Sequence, residues 1–108
     1  MKTLLTLAAA AVAMVVLAPA SQAASFNCYG KLTNTERAIC GNGNLSNLDS
    51  IMASRYFQAI GAVSYGVRKG LQRDQVRWLG SRNACGGNVG CLTALYNDRL
   101  SQMDSWGG

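Results

Sequence analysis

Histidine is missing from this 108-residue chain, and its absence removes the usual general base for a serine or cysteine nucleophile. Acids are scarce. Glu36, Asp49, Asp74, Asp98 and Asp104 are the only carboxylate side chains, none of them in a recognisable pocket motif, which leaves glycosidase chemistry without a visible acid–base pair. No Cys-x-x-Cys pair occurs: the four cysteines are separated by eleven, forty-four and five residues, a spacing that speaks against a four-thiolate zinc site. Gly86-Gly87-Asn88-Val89-Gly90 is rich in glycine but lacks the lysine and the preceding strand of a phosphate loop. The single proline, Pro19, lies near the start, so nothing after it forces a helix break. Repeats, low-complexity linkers and segments of strand period are also missing. Together these gaps point to a non-enzymatic chain with neither cofactor nor metal.

One long apolar run is present, Leu4 to Leu17, behind the basic Lys2 and ahead of Ser21-Gln22-Ala23. Charge, apolar core and small-x-small box in that order mark residues 1–23 as a secretory signal peptide rather than a membrane anchor, with Ala24 as the first mature residue. A lipid-attachment cysteine would directly follow the box, whereas the first cysteine is Cys28, so the expected product is a soluble periplasmic or secreted protein. The expected mature domain, 24–108, has 85 residues with nine basic and five acidic side chains, a net charge of +4. Only 36 of those residues are apolar, a marginal core for one domain. Four cysteines in an exported chain of this length are therefore read as two disulfides.

The periodicity is helical throughout. Thr33-Asn34-Thr35-Glu36 fits a capping box and opens a short helix that carries Cys40, stopped by Gly41 and Gly43. From Asn44, Leu45, Leu48, Met52, Tyr56, Ala59 and Val63 recur at three- and four-residue steps, with Asp49 beside the stripe, until the pattern fades at Ser64-Tyr65-Gly66. A third helix is expected from about Val67 to Ala84; on it Gln75, Trp78, Arg82 and Cys85 share a face. A fourth runs from Cys91 to about Met103, and the Gly107-Gly108 end should fray. The expected architecture is all-α: a short N-terminal helix plus three longer helices, stapled by disulfides. Of the three possible connectivities, Cys28 with Cys40 and Cys85 with Cys91 is expected. The latter two flank a tight helix-to-helix turn, and the former two then pin the N-terminal arm.

Cys28, Glu36-x-x-Ile39-Cys40, Leu48-Asp49 with Tyr56, Gln75-x-x-Trp78-x-x-x-Arg82-x-x-Cys85, and Cys91-Leu92 with Tyr96 and Arg99 form a pattern covering almost the whole of 24–108. It resembles the N-terminal domain of the LprI-type lysozyme inhibitors, a family named for a lipoprotein that inhibits lysozyme. The resemblance implies a lysozyme-binding protein that protects the cell wall, here without the lipid-attachment cysteine.

The residues themselves also support plainer roles. Trp78 is read as a core aromatic, Arg82 as stacked on it or paired with Asp49 or Glu36, and Tyr56 and Tyr96 as packing residues with their hydroxyls at the rim. Asn42 and Asn44 in one turn and Asn88 in the other are candidate partner contacts, the alternative being that they only make turns. Lys69, Arg73 and Arg77 form an i, i+4, i+8 row opposite Trp78. The row is either a solvated face or one drawn to anionic envelope polymers. Nucleic acid is not expected. Lysozyme inhibitor, small envelope-binding or chaperone-like module, and purely structural exported protein are the functions left open.

Overall fold

A capping box starts the first helix. In the computed structural model, which describes residues 24–106, the Thr33 hydroxyl accepts the Glu36 backbone N–H at 3.1 Å while a Glu36 carboxylate oxygen accepts that of Thr33 at 2.9 Å. The resulting helix α1 spans Asn34–Gly41. Residues 1–23, read as a signal peptide, and Gly107-Gly108, expected to fray, lie outside the described residues.

Only one residue separates α1 from α2, Gly43–Ala62, where a turn over 41–44 was expected. Asn42 serves both helices. Its extended backbone ends α1 with an N–H to the Ile39 carbonyl at 3.4 Å, and its Oδ1 accepts the Leu45 N–H at 3.0 Å to begin α2. Gly43 and Asn44 therefore belong to the first turn of α2. The Ser46 hydroxyl fixes the elbow by donating to the Ile39 carbonyl at 2.6 Å.

At the far end of α2 the chain reverses over Val63 and Ser64 into α3, Tyr65–Ala84, which starts two residues before the expected Val67. Arg68 holds this reversal. Its guanidinium donates to the carbonyls of Ile60 at 2.8 Å and Val63 at 3.4 Å, satisfying the open end of α2 with a cation at its negative pole. A turn through Gly86, whose φ of +58° suits glycine, leads to α4, Val89–Asp104, capped by Asn88 Oδ1 on the Cys91 N–H at 2.9 Å. The described residues are thus all helical between irregular ends, and both expected disulfides are present: Cys28–Cys40 with Cα atoms 5.8 Å apart, and Cys85–Cys91 at 5.7 Å.

Cross-contacts give the directions. Asp49 meets Tyr96 and Arg55 meets Asp104, so α2 and α4 run side by side in parallel; Met52 meets Gln75 and Asp49 meets Arg82, so α3 runs against both. The core lies between them: Ile39, Leu45, Met52, Trp78, Leu92, Tyr96 and Met103, with Ala24 of the N-terminal arm added at its edge. It fills only half the length of the α2–α3 hairpin. Between Met52 and Gln75 no described residue is buried, and α4 ends beside Arg55 while α2 continues to Ala62.

Candidate functional site

The polar residues of the sequence pattern converge on Asp49. Expected beside the apolar stripe of α2 as a partner for Arg82, it is fully buried, at 0% exposure, because three separate segments supply it with partners. The Ser25 backbone N–H and hydroxyl both donate to Oδ2, at 2.7 and 2.5 Å. The Tyr96 hydroxyl donates to Oδ1 at 2.6 Å. Arg82 lies 3.8 Å from the same oxygen and 3.5 Å from the Tyr96 hydroxyl, so the tyrosine stands between cation and carboxylate. Burying an isolated carboxylate is costly, and these donors are what make the position tenable.

The Tyr96 hydroxyl is therefore not at a rim. Its ring is fully buried, edge-on to Trp78 at 5.1 Å, and its pKa is pushed well above the ordinary tyrosine value, first by burial and then by the hydrogen bond and charge of Asp49, with Arg82 opposing. Tyr56 is half-buried, its ring edge against Phe57 at 5.2 Å.

A second arginine completes the cluster. Arg99 donates to Asp74 at 2.7 Å, to Gln75 Oε1 at 2.8 Å and to Gln102 at 3.1 Å. Its guanidinium stacks between Trp78, at 5.7 Å, and Trp106, at 4.9 Å. Stacking on Trp78 was considered for Arg82; it falls to Arg99, while Arg82 takes the expected pairing with Asp49 and also grips the Asn83 side chain at 2.9 and 3.1 Å. Glu36, the other partner considered for Arg82, is committed to the α1 cap. Ser25, Asp74 and Trp106 were not singled out from sequence. Ser25 lies in an irregular arm and Trp106 beyond the last helical repeat, so periodicity had no hold on either.

The asparagines of the turns sit at the opposite end from the α2–α3 reversal, beside the disulfides. Asn42 and Asn88 spend Oδ1 on capping, whereas Asn44 is exposed in the first turn of α2. The Thr35 hydroxyl ties α1 to the other turn, donating to the Gly86 carbonyl at 2.8 Å. Lys69, Arg73 and Arg77 are all exposed on the outer face of α3, as the spacing predicts. No group of three or more Cys, Asp or Glu among the described residues is arranged to hold a metal ion, and no described helix is long and apolar enough to cross a membrane.

Chemically, the buried cluster is closed. Arg82 and Tyr96 face the Asp49 carboxylate in the core, while Arg99 is held by Asp74, Gln75 and Gln102 with its Nε unpaired among the described residues, so the cluster ties the helices to one another. Comparison of the chain with protein-family models, with curated proteins and with solved structures finds no match.

Proposed function

We propose that this chain is an exported, non-enzymatic lysozyme inhibitor-like protein, and that its disulfide-clamped end is the surface that meets lysozyme. The observation carrying this reading is spatial. Asp49, Gln75, Trp78, Arg82, Tyr96 and Arg99, the residues on which the family resemblance stands, form one interlocked buried unit rather than a scatter of coincident matches. Since that unit faces inward, recognition belongs to the surface it supports.

Electrostatics favours one end for that role. A lysozyme with a basic surface is repelled by the hairpin's flank, where Arg55, Arg68, Lys69, Arg73 and Arg77 outnumber their acidic partners Asp104 and Asp74. Near the disulfides the charged groups are Lys31 and Arg37 against Glu36, and the exposed surface includes asparagine, glycine, Thr33, Val89 and the 81% exposed Tyr29. Amides there can imitate sugar hydroxyls in a cleft that holds two carboxylates. The two disulfides and the α1 elbow hold the segment rigid, which limits the entropy lost on docking.

A cell-wall lysis assay tests the proposal, with purified oxidised protein in excess over an animal-type and, separately, a bacterial-type lysozyme. Stoichiometric inhibition that competes with oligosaccharide and falls in Asn44→Trp is expected. Asn44 is chosen because its side chain is exposed and makes no hydrogen bond among the described residues, so a loss of inhibition in a normally melting variant maps the contact. Unchanged lysis with both lysozymes would sink the reading. The exposed Lys69, Arg73 and Arg77 row favours the second candidate, an envelope-binding or chaperone-like module that takes anionic polymers; sedimentation with purified cell wall separates the two.

A further inference from the structure

We infer that the overhanging tip of the α2–α3 hairpin is a docking surface for an anionic lipid bilayer. Residues 56–67, which make up the last turns of α2, the reversal and the first turn of α3, carry no charge, and residues 50–73 hold four cations and no acid. Because α4 stops beside Arg55, this uncharged stretch stands beyond the core with nothing packed on its outer side by α4. Phe57 is 64% exposed, Tyr65 70% and Val67 53%, an unusual grouping of large apolar side chains for one end of so small a domain. On one flank a groove of about 560 Å³ is lined by Ala59, Ala62, Val63, Val67, Leu71 and Trp106, which offer an apolar wall to acyl chains, and also by Gln58 and the paired Arg55 and Asp104.

The order of chemistry along the tip matches a bilayer surface. Val63, Tyr65 and Val67 lie at the reversal, and Lys69 follows behind them at about the depth of Phe57 on the other helix. At the helical rise of about 1.5 Å per residue, Lys69 sits roughly 7 Å and Arg73 roughly 13 Å back from the reversal. Amphipathic segments settle about 5–10 Å into the headgroup and acyl boundary, a depth that brings Lys69 level with lipid phosphates. Tyrosine and phenylalanine suit the same interfacial depth. Not every cation is free for this. Arg68 closes α2, Arg55 pairs with Asp104 at 2.8 Å, and Arg77 leans on Asp74 at 3.6 Å. Lys69, lying over the Tyr65 ring at 5.5 Å, and Arg73 are the outward pair.

A second copy of this chain is the less suitable occupant. Two tips laid together bring like charges into contact with no acid from 50–73 to answer them, whereas an anionic leaflet supplies both the opposite charge and an apolar interior.

Co-sedimentation of the oxidised protein with vesicles of phosphatidylglycerol and phosphatidylcholine in equal parts, against phosphatidylcholine alone, tests this. Binding to the anionic vesicles at low salt is expected, with little on the neutral ones. Lys69→Gln with Arg73→Gln should lower the partition coefficient about 25-fold, at about fivefold per cation. Phe57→Ser with Val67→Ser should abolish binding while the thermal melt stays that of the parent, since both side chains are exposed. No binding by the parent protein overturns the inference. So does binding that the Phe57 and Val67 changes leave intact, which would mark a mere polyanion surface, or a concentration-dependent dimer in sedimentation velocity with no partition to vesicles. The outcome does not depend on lysozyme inhibition, which concerns the other end of the molecule.

Discussion

Asp49→Ala should be among the most damaging single substitutions in this fold. Removing the carboxylate strips the acceptor from three hydrogen bonds at once, those from the Ser25 N–H, the Ser25 hydroxyl and the Tyr96 hydroxyl, and leaves Arg82 in the interior with no acid near it. Breaking a buried pair by deleting one partner costs about 3–5 kcal/mol, because the surviving charge is stranded. The expected loss sits in that range, since Arg82 keeps the Asn83 side-chain oxygen while the buried Tyr96 hydroxyl loses the carboxylate it donates to. At roughly 0.05–0.15 kcal/mol per residue, a domain this small has about 4–13 kcal/mol in all. In urea, with an m-value of about 1.5 kcal/mol/M, the midpoint should fall by roughly 2–3 M. Unfolding is followed by tryptophan fluorescence, since Trp78 packs on Tyr96 and reports directly on the cluster.

A double-mutant cycle sharpens the test. Arg82→Ala alone removes the cation yet leaves Asp49 three good donors, so it should cost less than Asp49→Ala, and the double variant should cost less than the sum by at least about 1 kcal/mol. Should Asp49→Ala melt within about 0.5 kcal/mol of the parent, the buried network does not organise this fold. If the two effects simply add, the 3.8 Å pair is not a functioning pair.

Replacing Cys28 and Cys40 by serine opens a loop of sequence separation 12, for which chain entropy alone gives about 3 kcal/mol; the loss should exceed this because the same arm carries Ser25 to Asp49, and amide hydrogen exchange at Ser25 should then become fast. The pH dependence of stability should show Tyr96. Its folded-state pKa lies above the unfolded value near 10, so the folded protein holds a proton that the unfolded chain releases, and stability falls as pH rises past about 10; Tyr96→Phe should be less stable at neutral pH but lose less between about pH 8 and 11, and equal slopes for both would refute the buried hydroxyl.

What could be read from the sequence was what is local. The α1 capping box, the helical period of α2 and the closure of Cys85 on Cys91 each depend on residues within a few turns, and all three stand in the structure as expected. The pairing of Arg82 with Asp49 was legible as well, because both residues border the apolar stripes of their helices. The full burial of Asp49 was not, because a polar group reads as bordering the stripe until its donors are known, and these come from 24 residues before it and 47 after. Tyr96 was put at the rim by the same logic, and Arg99 was passed over for Trp78 because Arg82, one turn along, was the nearer cation in sequence. The 41–44 segment shows a subtler limit. Two glycines suggest a loop, yet one asparagine with its backbone extended and its side chain folded forward ends one helix and begins the next, so the chain needs no more than a single joint. The tip of the hairpin follows the same rule at a larger scale. Residues 56–67 look in sequence like the unremarkable ends of two helices, and their composition is ordinary for a buried hairpin; they become an exposed apolar end only because α4 stops at the level of Arg55, a length set by a different part of the chain.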